Sequence, residues 1–93
     1  MGKFRIKIKE SAEKDLKKHY KSGNKKTIKR IDRILIELAN HPTKGIGKPE
    51  KLKHNLSGYW SRRINQKDRM IYSIDGHKVT VTVVSALGHY LDK

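Results

Sequence analysis

The chain has 93 residues, which suffices for one compact domain with a modest core, so we expect a single domain over 1–93. Its 23 Lys and Arg against 9 Asp and Glu give a net charge of +14, which favours a polyanion as partner. Cysteine is absent, which excludes disulfide frameworks and thiol chemistry and makes the cytoplasm the expected location.

Membrane and metal functions find no support in the sequence. No apolar run approaches the roughly 18 to 20 residues that span a bilayer, and the opening segment MGKFRIKIKE alternates instead of forming a signal-peptide core. The five His have no Cys partners and no HExxH-like spacing. We therefore expect no membrane association, no metal site and no cofactor.

The chain opens with a strand pattern followed by a helix pattern. Apolar residues first alternate with basic ones at the period of two typical of a half-buried strand: Phe4, Ile6 and Ile8. Ser11 is then suited to cap a first helix, which runs to about Ser22 and ends at Gly23. Apolar residues at four-residue spacing predict the buried side of this helix: Ala12, Leu16 and Tyr20.

A second helix is predicted from Lys25 onward, with Pro42 shortly after its end. Its apolar positions follow a three-four rhythm: Ile28, Ile31, Ile34, Leu35 and Leu38. Its polar side is basic and serves either to grip phosphates or only to keep a solvated face soluble: Lys25, Lys26, Lys29, Arg30 and Arg33. The Pro- and Gly-rich residues 42–50 predict a loop.

The remaining chain shows strand patterns. Residues 51–56 and 59–64 flank a Ser57-Gly58 turn, and residues 69–74 follow a polar turn. Asp75-Gly76 is a hairpin signal before the Thr- and Val-rich run from Lys78. The predicted fold is α+β with the order β-α-α-β-β-β, in which two N-terminal helices pack on one face of an antiparallel-rich sheet and leave the other face free.

Alternation separates two faces within the predicted strands. One side of the 59–64 strand carries Tyr59, Ser61 and Arg63, and the opposite side carries Trp60, Arg62 and Ile64. Trp60 is predicted to anchor the core, as is Tyr72, which alternates with Met70 and Ile74. Tyr59, on the free side, either stacks on RNA or packs across strands. The remaining histidines look incidental: His19, His41 and His77.

The segment 47–72, GKPEKLKHNLSGYWSRRINQKDRMIY, closely resembles the signature of the YoeB/Txe family of type II toxin–antitoxin toxins, within the RelE-like superfamily. The resemblance is specific, because the motif is far longer than a short catalytic motif. The resemblance as a whole covers nearly the whole chain. It implies a microbial RNase fold, of the RelE-like kind, and a ribosome-dependent messenger-RNA endonuclease. Such an enzyme cuts the messenger in the ribosomal A site without a metal ion and inhibits translation.

Cleaving RNA without metal requires a base for the 2′-hydroxyl, an acid for the departing 5′-oxygen and cations around the phosphate. By the resemblance, Glu50 is the general base, His89 the general acid, and Arg69 stabilises charge on the phosphorane. Taken singly, Glu50 reads as a surface carboxylate and His89 as a solvated histidine. Their coexistence with the arginines favours catalysis.

The resemblance also implies residues that bind RNA without exchanging protons. Arg63 corresponds to a second arginine on the scissile phosphate, and Lys53 and His54 to supporting contacts beside it. Tyr90 corresponds to a residue that stacks on a splayed base. The C-terminus departs from the family, since Gly88 stands where an arginine or aromatic residue commonly precedes the histidine, and we expect Gly88 to loosen the approach to His89.

The partners implied are an antitoxin of the YefM/Axe type, the 70S ribosome with its messenger, operator DNA through the antitoxin complex, and a second copy in a homodimer. The alternative function is a catalytically weak toxin relative that serves as a nucleic-acid-binding antitoxin partner and corepressor. A ribosome-associated structural protein is the third hypothesis. The discriminating feature is the coexistence of Glu50, Arg63, Arg69 and His89, because binding RNA requires cations but has no use for a carboxylate that faces RNA.

Overall fold

The computed structural model describes residues 3–88. Its elements in chain order are β1 (Arg5–Ile8), α1 (Glu10–Ser22), α2 (Lys25–Asn40), β2 (Glu50–Lys51), a short 3-10 helix (His54–Leu56), β3 (Tyr59–Arg63), β4 (Arg69–Asp75) and β5 (Thr80–Ser85). The strands form one sheet in the order β1-β5-β4-β3-β2. The predicted fold class is confirmed, because two N-terminal helices pack on a sheet in which three of the four strand pairs are antiparallel, although four strands and not the predicted three follow α2.

The first and last of these strands are neighbours. β1 runs parallel to β5, with Ile6 opposite Val81, and β5 continues antiparallel to β4. A parallel pair cannot be joined by a tight turn, and here everything from α1 to β4 lies between the two strands. β2, β3 and β4 follow one another as an antiparallel meander at the other side of the sheet.

α1 begins at Glu10, with Lys9 as its N-cap residue and no side-chain cap. The prediction that Ser11 caps the helix is therefore wrong. Gly23 ends the helix as predicted, at φ +73°, a left-handed conformation that glycine adopts without steric cost. α2 begins with a true cap, because the side chain of Asn24 accepts a hydrogen bond from the amide of Thr27 at 3.1 Å.

The buried side of α1 differs from the prediction at one position. Tyr20 is 43% exposed and donates to Asp32, whereas His19 is buried. Nε2 of His19 lies 2.6 Å from the carbonyl oxygen of Ala86, and since a carbonyl only accepts, Nε2 carries the proton. His19 is thus structural and not incidental, because it fixes α1 to the residue that follows β5.

The prediction of a strand over residues 51–56 is wrong. Pairing with β3 stops after Lys51 and the amide of Leu52, which donates to the carbonyl of Tyr59. His54 then adopts φ +58°, which is incompatible with an extended strand and starts the 3-10 turn. The β4–β5 hairpin is confirmed, and Oδ1 of Asp75 accepts from two amides of its turn.

The core lies between the two helices and the inner face of the sheet. Its buried members from the helices are Ala12, Leu16, Ile31, Ile34 and Leu38, and those from the sheet region include Ile64, Met70, Tyr72, Val81 and Val83. Tyr72 is therefore a core residue as predicted. Trp60 packs against this core while remaining half-buried, which confirms its face and weakens its role as a central anchor. Ile8, predicted to be buried, is exposed at the sheet edge.

No helix within residues 3–88 combines the length and the apolar character that crossing a membrane requires.

Candidate functional site

The register of the meander brings three of the predicted site residues to one face. Glu50 pairs with Ser61, Ser61 pairs with Ile71, and two residues further along β3 Arg63 pairs with Arg69. Directly paired residues and residues two apart share a face. We call the face that carries these five side chains the outer face, because the core residues of β4 point to the helices on the other side.

The outer face is not uniformly exposed. Ser61 and Ile71 are buried although they point away from the helices, as is Leu52 beside them. Glu50 and Arg63, in contrast, are exposed, and Arg69 is half-buried. The charged groups therefore stand around a floor of small and apolar side chains. The face opposite the helices therefore leaves Glu50 and Arg63 accessible, while its small and apolar residues are covered.

Arg63 and Arg69 form a pair of cations directly across two antiparallel strands. Side chains at such positions have Cβ atoms roughly 4.5–5.5 Å apart, and like charges there are destabilising. The two guanidinium groups thus concentrate positive charge at one register position of the outer face. An arginine fork matches the oxygens of a phosphate, so this position is suited to a phosphate anion.

Glu50 is held close to this pair by β2. Diagonal neighbours across an antiparallel pair lie roughly 7–8 Å apart at their Cα atoms, and Glu50 stands in this relation to Arg63. Within residues 3–88, Glu50 takes part in no ion pair. Its carboxylate is therefore accessible on the same face as the two arginines, as a base near a bound phosphate requires.

Lys53 and His54 lie at the turn end of the β2–β3 hairpin. Lys53 precedes the 3-10 helix and His54 begins it, and both are exposed. The Arg63–Arg69 pair lies at the other end of β3, about 13 Å from Tyr59 at a rise of about 3.3 Å per residue. The register thus places Lys53 and His54 on the far side of Glu50 from the arginines. Tyr59 is half-buried at that same turn end.

His89 and Tyr90 lie outside the described residues, but Gly88 before them is fixed beside Arg69. The amide of Gly88 donates to Oδ1 of Asp68 at 2.8 Å, and its carbonyl accepts from the amide of Arg69 at 3.0 Å. Both backbone groups of Gly88 are thus engaged, and the expected loosening of the approach to His89 falls outside the described residues. Gly88 therefore lies next to Arg69, one of the two arginines of the pair.

Asp68 was missed by the sequence analysis, which treated residues 65–68 as a polar turn. Its side chain is buried, accepts from Nδ2 of Asn65 at 2.9 Å as well as from Gly88, and its amide donates back to Oδ1 of Asn65. The only sequence signal is an Asn three residues before an Asp, which is common in turns. Nothing in the sequence indicates that Asp68 reaches a residue 20 positions away.

Arg62 is the second residue that the sequence analysis left without a function. It is 0% exposed, and its guanidinium donates to Oε1 of Glu37 at 2.7 Å and to the carbonyls of His41 and Lys44 at 2.7 Å each. Its Nε also donates to the hydroxyl of Tyr72 at 3.2 Å. These bonds tie β3 and β4 to the end of α2 and to the loop that leads to Glu50.

The electrostatics of this network follow from its contacts. Burial raises the pKa of the Glu37 carboxyl, but the hydrogen bonds from the amide of Ile46 and from Arg62 outweigh it, so the pKa lies below its ordinary value. Burial raises the pKa of the Tyr72 hydroxyl, and the bond from Arg62 offsets only part of that rise. Glu37 and Tyr72 are thus a carboxylate and a neutral phenol at neutral pH.

The loop itself is shaped by a close backbone approach. The carbonyl of Gly47 accepts from the amide of Arg63 at 2.6 Å, which places the loop against the end of β3. A Cβ atom at Gly47, which has φ +82°, would lie 2.8 Å from the carbonyl oxygen of Arg63. Glycine is therefore required at this position, and the loop enters β2 in a fixed orientation.

Solved structures with the same fold define the class of protein. The chain aligns with a YoeB/ParE toxin from Agrobacterium tumefaciens at a TM-score of 0.83 and 28% identity, covering 94% of this chain and 100% of that one. It aligns with the YoeB dimer from Staphylococcus aureus at a TM-score of 0.77 and 38% identity, covering 95% and 99%. The fold is that of the RelE-like toxins.

Sequence relatives narrow this class to one family. A family model described as the YoeB-like toxin of bacterial type II toxin–antitoxin systems matches residues 8–90. The chain is 43% identical over 72 residues to the toxin YoeB of Streptomyces coelicolor, which covers 77% of this chain and 83% of that protein. It is 45% identical over 71 residues to the toxin YoeB of a Synechocystis species, covering 76% and 80%. The chain belongs to the YoeB family and is a toxin of a type II toxin–antitoxin system.

Proposed function

We propose that this toxin is a ribosome-dependent endoribonuclease, which cuts messenger RNA in the ribosomal A site and thereby inhibits translation. One observation carries the proposal. An exposed carboxylate without an ion pair within residues 3–88, Glu50, shares the outer face of three adjacent strands with the cationic Arg63–Arg69 pair. A surface that only binds RNA gains nothing from a carboxylate at that position, because the carboxylate repels phosphate.

The reaction uses the residues in sequence. The Glu50 carboxylate takes the proton of the 2′-hydroxyl, and the 2′-oxygen forms a bond to the adjacent phosphorus. Arg63 and Arg69 stabilise the additional negative charge on the phosphorane, a contribution worth roughly 10²–10³ in rate for one preorganised donor. The bond to the 5′-oxygen then breaks, and that oxygen receives a proton. The products are a 2′,3′-cyclic phosphate and a 5′-hydroxyl.

His89 is the residue we propose for protonating the 5′-oxygen, and Tyr90 the one for stacking on a base beside the cut. Both assignments rest on the family resemblance. The two hydrogen bonds of Gly88 support the assignment of His89, because they hold the preceding residue beside Arg69. Lys53 and His54, at the turn end of the hairpin, are proposed to bind the RNA strand on the other side of Glu50.

The proposed partners follow from the same family. Solved structures similar to this chain include a YoeB–YefM complex from Staphylococcus aureus, 39% identical, and a YoeB dimer from the same organism. We propose that a YefM-like antitoxin covers the outer face and that the toxin–antitoxin complex binds operator DNA. We also propose that the toxin forms a homodimer. In the bacterial cytoplasm the ribosome supplies the messenger.

Primer extension on a defined messenger in a purified translation system tests the proposal. The wild-type protein is expected to cut within the A-site codon only when ribosomes are present. Glu50→Gln is expected to slow cutting by roughly 10²–10⁴, the contribution of a general base. Glu10→Gln removes an exposed carboxylate on α1 and serves as the matched control with unchanged cutting.

The arginine pair requires a separate comparison. Arg69→Ala is expected to abolish detectable cutting, and a circular dichroism spectrum and melting curve establish that this variant is folded.

Equal cutting by the wild type and Glu50→Gln would remove Glu50 from the mechanism. A folded wild-type protein that never cuts, with or without ribosomes, would favour the binding partner and corepressor instead.

A further inference from the structure

A basic groove of about 590 Å³ lies between α2 and the end of β3. Its cationic walls are Lys26, Lys29, Arg30 and Arg33 from α2 and Arg63 from β3, and Asn65 contributes an amide beside them. The four α2 residues are spaced three and four apart, so they occupy one side of the helix. We call this feature the α2 groove.

The charge of the α2 groove is largely uncompensated. Among the described residues that line it, none is Asp or Glu. Arg33 approaches Glu37 at 3.3 Å, but that carboxylate also serves the buried Arg62. Lys26 and Lys29 are exposed and form no ion pair within residues 3–88. Repulsion among these cations favours an anionic occupant with several charges.

The groove is connected to the arginine pair through Arg63. Nε of Arg30 donates to the carbonyl of Arg63 at 3.2 Å, which holds the guanidinium of Arg30 across the groove. Arg63 is at the same time the residue opposite Arg69 on β4. One anionic strand can therefore pass from the outer face into the α2 groove without leaving positive charge.

The shape and chemistry of the groove favour a phosphodiester backbone over an acidic peptide. Lys26 to Arg33 span roughly 10 Å at about 1.5 Å per residue. That length matches about three charges of one nucleic-acid strand at about 3.4 Å per charge. A helical peptide needs apolar anchors in its groove. Here the apolar floor is Ile64, which is 1% exposed, and Ile46, which packs against the core.

We infer that the α2 groove is an RNA-binding site that holds the backbone of the strand flanking the cut. This inference rests on the proposed function for the position of the RNA at Arg63 and Arg69, and it adds a contact region that continues from Arg63 along α2. It also gives a role to the basic side of α2 beyond solubility. Recognition through phosphates makes the contact independent of base sequence and dependent on salt.

Binding to RNA that cannot be cut tests the groove apart from catalysis. The probes are fluorescent 2′-O-methyl oligouridines, one a trinucleotide and one several times longer, measured by anisotropy at increasing salt. Lys26→Gln/Lys29→Gln is expected to weaken binding of the longer strand about tenfold and to leave the trinucleotide unchanged. The slope of log affinity against log salt should fall by about 1.4, at roughly 0.7 for each of two phosphates.

The matched control removes the same charge elsewhere. Lys14→Gln/Lys21→Gln changes two exposed lysines of α1 and is expected to bind both probes as the wild type does. Equal losses in the two double variants would overturn the inference in favour of a diffuse field. An equal loss for the trinucleotide would also overturn it, because the lysines would then act at the outer face.

Two further outcomes separate this inference from its neighbours. A polyglutamate peptide that binds the wild type more tightly than the longer RNA, and loses that binding in Lys26→Gln/Lys29→Gln, would overturn the inference and assign the groove to an acidic protein. A length-dependent loss for RNA, together with no cutting on ribosomes, would refute the proposed function while supporting RNA binding in the groove.

Discussion

Replacing Arg62 by Met tests whether the buried guanidinium holds the domain together. The change keeps most of the side-chain volume but removes every hydrogen bond that Arg62 donates, including those to Glu37, His41 and Lys44. Removing one partner of a buried ion pair typically costs about 3–5 kcal/mol, because the other charge remains unpaired. The side chain of Glu37 is 19% exposed and still contacts Arg33, so we take the lower end, about 3 kcal/mol.

That loss is large for a domain of this size. At roughly 0.05–0.15 kcal/mol per residue, 93 residues correspond to a total stability of about 5–14 kcal/mol. A shift of roughly 4 °C or more per kcal/mol gives a fall in melting temperature of at least about 12 °C. Urea and thermal unfolding followed by circular dichroism measure both quantities. Arg62→Lys is expected to lose most of the same stability, because an ammonium cannot reproduce the planar fork of donors.

The adjacent arginine provides the matched control. Arg63→Met removes the same side chain from the exposed face, and such surface changes usually stay within about 0.5 kcal/mol. The double variant Arg62→Met/Glu37→Gln leaves no unpaired carboxylate. The losses of stability in the two single variants should therefore add up to more than the loss in the double variant. If Arg62→Met and Arg63→Met unfold at the same urea concentration, the network contributes no stability and the reasoning fails.

Three further predictions concern other residues of the frame around the site. The pKa of Glu37 in the folded protein is lowered from 4.5, so its contribution to the free energy of unfolding is present above about that pH and is lost as the pH falls through the folded-state pKa. In urea titrations from pH 7 to pH 3, the stability of Glu37→Gln should therefore fall less steeply than that of the wild type. Asp68→Ala should cost about 1–3 kcal/mol and speed hydrogen exchange of the Gly88 amide, and unchanged exchange would mean that Asp68 does not hold Gly88. Trp60→Ala should lower the free energy of unfolding by less than the roughly 3–5 kcal/mol that is lost when a fully buried aromatic residue is replaced, because Trp60 is half-buried. A melting curve identical to that of the wild type would show that Trp60 does not belong to the core.

Periodicity predicted what depends on local spacing. The three-four rhythm of α2 and the alternation of β4 put Ile31, Leu38 and Tyr72 in the core, where the structure has them. Gly23 and the Asp75 turn were predictable because a left-handed cap and a hairpin turn have narrow residue preferences.

What the sequence could not predict depends on contacts between distant segments. Alternation put Arg62 on the core side and Arg63 on the free side, but it could not predict that the Arg62 guanidinium would be fully buried by bonds to the 41–46 loop. Ser11 has the residue type of a cap, but β5 offers it a carbonyl at Val84. His19 and Tyr20 compete for the same helix face, and the position of Ala86 decides between them. The outer-face grouping of Glu50, Arg63 and Arg69 followed from alternation once the register was known.

The place of β5 inside the sheet has a consequence for the order in which the domain assembles. The β3–β4 hairpin needs only a short turn, so we expect the Arg63–Arg69 pair to form before the sheet is complete. β5 joins β4 to β1, and His19 bonds α1 to the residue that follows β5. Because β5 is the strand that pairs with both β1 and β4, we expect the two parts of the sheet to join only after residues 80–85 have been synthesised. Because Gly88 follows β5 directly in the chain, we expect its bond to the amide of Arg69 to form only once β5 has paired with β4, so that the surroundings of Arg69 are completed late.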